Sequence, residues 1–132
     1  MKRALVRSWL APFDWEVVTE INRGLCRKKN ALHKATSEGH LPAKTLWQSN
    51  QTKKLELTDA IQICLQCHRL APFCFYNGNT FAAIARDFVV ELSPKLPADQ
   101  VHVLRSIVGH VVAGTATEIE RTQLQAILAG LE

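Results

Sequence analysis

The chain has 132 residues and a mass of 14.8 kDa, the size of one domain spanning 1–132, long enough to bury roughly two-thirds of its unfolded surface. With 47% hydrophobic and 21% charged residues and only 6 Gly and 5 Pro, it is neither collagen-like, low-complexity nor intrinsically disordered. The net charge of +4 is unevenly placed: up to Leu57 there are 11 Lys and Arg against 5 acids, and from Thr58 onward 5 against 7.

The start, MKRALVRSWL, is basic like a secretory leader, but Arg7 breaks the apolar run after Val6 and no small-residue cleavage site follows. No stretch of about 18 apolar residues offers a membrane span. The expectation is a cytoplasmic chain without membrane contact, its four cysteines kept as thiols.

In chain order, Asp14 is a candidate N-cap for a helix running to about residue 37. Val17, Val18, Ile21, Leu25 and Leu32 recur at helical spacing, and Gly39 lies just beyond. Residues 41–57 are polar and poorly periodic, which predicts a loop with one turn around Trp47. Thr58 is placed to cap a helix over 58–71 that leaves almost no polar face and ends at Pro72. A second apolar helix follows over 80–92. Pro97 suits the first position of the next, which runs to Gly114. Thr117 with Glu120 spells a capping box for a final helix. No hairpin dipeptide lies between alternating runs, so the predicted fold is all-α: about five main helices around a buried pair, 58–71 and 80–92.

Three groups of residues are chemically suggestive. Cys64, Cys67 and His68 form a CxxCH pattern, the spacing of haem attachment, and with Cys74 they match the donor set of a zinc site. Lacking a leader and any methionine beyond the first, the chain is expected to hold neither cofactor nor metal, with these cysteines as buried thiols. The loop from Phe73 to Thr80 places Asn77, Gly78, Asn79 and Thr80 at the entrance of a buried helix. Gly78 permits a positive φ there, either asparagine can cap, and the backbone N–H groups form a ready anion site. Lastly, Arg23, Arg27, Lys28, Lys29 and Lys34 concentrate positive charge, with Arg23, Arg27 and Lys34 able to share one helical face.

The arrangement of a central helix, Phe75-x-Asn77-Gly78-Asn79 and a second buried helix resembles the core of the Fic/Doc family. Its loop reads His-x-Phe-x-[Asp/Glu]-[Ala/Gly]-Asn-[Gly/Lys]-Arg. The final stretch from Gly114 to Leu128 is similar as well, so the resemblance extends over residues 58–131. It implies a compact helical fold and a nucleotide-dependent transferase whose histidine is the base, whose acid holds Mg²⁺ and whose arginine holds phosphate. This chain has Phe73, Asn77 and Phe81 at those positions. The resemblance therefore implies a kept scaffold and anion loop without the chemistry.

No complete catalytic set is present. The expected function is a non-catalytic binding or regulatory protein that meets an acidic protein or nucleic acid through its basic N-terminal half. A divergent Fic/Doc-like transferase or pseudoenzyme is the alternative, and a zinc-binding protein the third reading.

Overall fold

Asp14 begins the first helix as expected: its side chain accepts the Val17 N–H at 2.9 Å, opening α1 (Trp15–Lys28). The computed structural model describes residues 5–131. Acidic Glu16 in the first turn and Arg27 and Lys28 in the last both suit the helix dipole. α1 stops well before residue 37. Asn30 turns into the left-handed region (φ 52°), the Ala31 N–H returns to the Cys26 carbonyl at 2.8 Å, and Leu32 is 62% exposed. Without an apolar face to bury, two more turns have nothing to hold them.

The predicted loop over 41–57 is instead largely a helix, α2 (His40–Asn50). Pro42 is its third residue, where the missing N–H costs nothing because the first turn has no intrahelical acceptor. Trp47 is fully buried and its indole N–H donates to the Phe13 carbonyl at 2.7 Å, so tertiary packing supplies what periodicity lacks. A strand was not expected either. β1 (Val6–Arg7) pairs antiparallel with β2 (Leu55–Glu56), Val6 opposite Glu56, and two residues are too few to show alternation.

The remaining elements are α3 (Leu57–Leu70), α4 (Asn77–Val90), a single 3-10 turn at Ser93–Lys95, α5 (Ala98–Ala113) and α6 (Glu118–Ala129). The fold is an all-α bundle of six helices among the described residues, with α4 at its centre. Phe81, Ile84, Ala85, Phe88 and Val89 are buried on α4, which packs most extensively on α5 and α3 and takes α1 on the remaining side. α3 does present an exposed stripe, Thr58, Asp59, Gln62, Gln66 and Arg69. Thr58 does not cap it, because the cap position belongs to Glu56 and no side chain fills that role.

Pro97 is the cap residue of α5 rather than its first helical residue, and Gly114 closes α5 at φ 80°. The Thr117–Glu120 capping box of α6 is fully formed. Behind α3, Gly39 is packed so closely on the carbonyls of Leu70 and Ala71 that no Cβ fits. No described helix is long and apolar enough to cross a membrane.

Candidate anion-binding site

The end of α3, the start of α4 and the second half of α5 enclose a cleft of about 510 Å³. Its wall includes His68, Tyr76, Gly78, Arg86 and His110. Pro72 forces α3 to stop, and the chain leaves it through Ala71 at φ 52°. It enters α4 through Tyr76, also left-handed at φ 62°. The positive φ expected at Gly78 thus falls on Tyr76.

Two amides hold this connection. The Asn77 side chain accepts the Phe73 N–H at 2.9 Å and donates to the Phe73 carbonyl at 2.6 Å. Asn22 on α1, wholly buried, donates to the Phe75 carbonyl at 2.7 Å and to the Thr80 hydroxyl at 3.0 Å. Its oxygen accepts from His33 Nδ1 at 2.8 Å, and the Cys26 thiol lies 3.5 Å away. Burial, with Arg23 as a lesser cause, holds the His33 pKa below the ordinary imidazole value.

Neither asparagine caps α4, contrary to expectation. Asn77 is committed to Phe73, and the cap residue Tyr76 contributes no side-chain bond. The first intrahelical bond runs from the Thr80 N–H to the Tyr76 carbonyl at 2.9 Å, so the N–H groups of Asn77, Gly78 and Asn79 precede any acceptor on their own helix. These three residues line the cleft. Thr80, the fourth expected residue, does not: it is buried and donates its hydroxyl to the Tyr76 carbonyl at 2.7 Å.

Charge comes from elsewhere. Arg86, more than two turns along α4, lies across Gly109 of α5, where a Cβ would stand 2.5 Å from Nη2 and 2.8 Å from Nε. The guanidinium makes no ion pair or hydrogen bond among the described residues. His68 donates from Nδ1 to the Val112 carbonyl at 2.8 Å, which leaves Nε2 as the free ring nitrogen. A Cβ on Gly78 would stand 3.2 Å from that nitrogen, so glycine lets the imidazole rest against the first turn of α4. On the opposite wall, His110 Nδ1 meets Glu120 at 2.6 Å. The Glu120 carboxyl is held below its usual pKa by the Thr117 backbone N–H first and by His110 next. The wall thus brings one guanidinium together with three N–H groups of the first turn of α4, a set suited to a tetrahedral oxyanion.

Other sequence candidates lie apart from this cleft. Cys64 and Cys67 are core residues, and burial raises both thiol pKa values, that of Cys67 to about 12. Cys74, expected to be buried, is exposed. Among the described residues no three His, Cys, Asp or Glu side chains gather as metal ligands. Arg23 is ion-paired with Glu20, whereas Arg27, Lys28, Lys29 and Lys34 are exposed. Lys34 lies beyond the end of α1 and shares no helical face with Arg23 and Arg27. Phe73, at the position of the family histidine, is buried and stacked on Trp15 at 6.0 Å.

The sequence singled out the first turn of α4 but missed Arg86 and His110 as its companions. One signal was available, since Arg86 is the only cation in the 14 residues of α4. No family model, curated protein or solved structure matches the chain.

Proposed function

We propose that this chain is a small helical binding protein whose cleft at the start of α4 seats the phosphate of an anionic partner. The observation that carries this reading is the convergence, on one cleft wall, of the uncapped first turn of α4 with the Arg86 guanidinium, which has no ion-pair partner among the described residues. The basic end of α1 adds to it. The Lys34 carbonyl accepts the Cys74 N–H at 2.9 Å, which ties the exposed Lys34 segment to the connection that ends at Tyr76. A nucleic acid or acidic protein spanning both regions would meet Arg27, Lys28 and Lys29 as well.

Calorimetric titration with pyrophosphate tests the cleft. Arg86→Gln is expected to weaken binding by about tenfold or more, the scale of a lost charge-assisted hydrogen bond. An unchanged affinity refutes the site. Charge reversal at Arg27 and Lys28, with the salt dependence of binding to a polyanion, tests the wider surface.

The Fic/Doc-like reading uses the same cleft, with nucleotide phosphate as ligand and Phe73 in place of the base. Incubation with labelled ATP and Mg²⁺ separates a transferase, which labels protein, from a binding module, which does not.

A further inference from the structure

We infer that the cleft selects an oxyanion that brings a hydroxyl proton with it, such as hydrogen phosphate, over bare sulfate, and that His68 makes the selection. The inference rests on the anion reading above and adds the identity of the ligand. It comes from counting what the wall can give and what it can take. Arg86 and the N–H groups of Asn77, Gly78 and Asn79 only donate. His68 differs: its Nδ1–H is committed to the Val112 carbonyl at 2.8 Å, which leaves the Nε2 lone pair as the acceptor on the wall.

That nitrogen is not remote from the donors. The 3.2 Å between Nε2 and the position of a Cβ on Gly78 sets the acceptor directly beside the turn that carries them. A tetrahedral anion held by these N–H groups turns one oxygen toward the imidazole. If the oxygen carries hydrogen, as in hydrogen phosphate, it donates to Nε2 and the site is satisfied. Sulfate carries no proton near neutrality, so two lone pairs face each other and one contact becomes repulsive. Sulfate and phosphate match in size and shape, which leaves this proton as the difference the cleft reads. Of the other polar groups on the wall, Arg86 from α4 and the Glu120-bound His110 from α5 act on both anions alike. The Tyr76 hydroxyl and the Asn79 amide can each turn to donate or accept as either anion requires, which the fixed His68 ring cannot.

The test is titration of the full chain with inorganic phosphate and with sulfate at about pH 8, where inorganic phosphate is mainly the hydrogen phosphate dianion and matches sulfate in charge. Phosphate is expected to bind about tenfold tighter, the scale of one unmade or repelled polar contact. In His68→Gln the amide can turn its N–H₂ toward the ligand, so the preference should collapse while phosphate still binds. Gly78→Ala pushes the imidazole away without altering any polar group and is expected to lower the preference too. A urea midpoint for each variant confirms that it folds.

Methyl phosphate and glycerol 2-phosphate then locate the hydroxyl. At about pH 8 both esters are dianions without a P–OH, so both should bind as weakly as sulfate if the proton read is the one on phosphorus. A preference for the glycerol ester places it on the organic part, and methyl phosphate binding as tightly as inorganic phosphate overturns the inference. Equal binding of phosphate and sulfate to the native chain overturns the inference, as does a preference that survives His68→Gln. Binding of neither anion overturns the anion reading itself.

Discussion

Replacing Asn22 with leucine tests whether the connection before α4 is held by one buried amide. Leucine has similar volume but can neither donate nor accept, so the change removes polar contacts while leaving little cavity. The Phe75 carbonyl loses its partner at 2.7 Å, and the Thr80 hydroxyl loses a donor while keeping its bond to Tyr76. His33 loses its acceptor at 2.8 Å, but its half-buried ring can turn to water. One orphaned carbonyl costs about 1–3 kcal/mol, and the weakened Thr80 and His33 contacts raise the total to about 2–4 kcal/mol. Urea unfolding should show a midpoint lower by roughly 1–2 M at an unchanged slope, given slopes of about 1–3 kcal/mol/M for small proteins. Because the same amide fixes the Phe75–Tyr76 segment, pyrophosphate affinity should fall as well. A midpoint equal to that of the native chain would refute the argument that Asn22 organises this connection.

Ile84→Ala, in the centre of α4 and fully buried, should cost about 2–5 kcal/mol, whereas Lys53→Glu on the exposed turn before β2 should cost under about 0.5 kcal/mol; chemical denaturation ranks them. Folding lowers the pKa of both His33 and Glu120, so the folded chain binds fewer protons than the unfolded one. Their stabilisation is present above the unfolded values and is lost as pH falls, beginning below about 6.5 for the histidine and near 4.5 for the carboxylate. Thermal melts across this range should show falling midpoints, and His33→Gln should remove the upper step. A thiol-specific chromogenic reagent should react promptly with Cys74 alone in the native chain and with all four cysteines after unfolding.

What could be read in the sequence follows the range of the forces involved. The capping box of α6 was legible because Thr117 and Glu120 lie three residues apart and satisfy each other. The burial of Ile84 was legible because Phe81 and Phe88 flank it at helical spacing. α2 was not, since its register depends on Trp47 reaching the Phe13 carbonyl, 34 residues earlier in the chain. The end of α1 was misplaced for a related reason: Leu32 has the right spacing but finds no surface to cover. In the cleft, the glycine and asparagines of α4 stood out as a local motif. Their partners His68, Arg86 and His110 come from three helices, and Gly109 explains itself only once Arg86 is seen lying over it.

The pairing of β1 with β2 has a consequence for the order in which the chain assembles. Val6 meets Glu56 across a loop of nearly fifty residues, while α3, α4 and α5 are sequential neighbours joined by short connections. Closing the long loop costs entropy before any contact repays it, so the helical triplet has the kinetic advantage. Pulsed hydrogen exchange during refolding should protect amides between 57 and 113 first, and those of β1 and α2 later. The N-terminal arm then acts as a clasp, adding Trp9 and Leu10 to a core whose first half has already formed. Simultaneous protection of both regions would show that the clasp belongs to the folding nucleus.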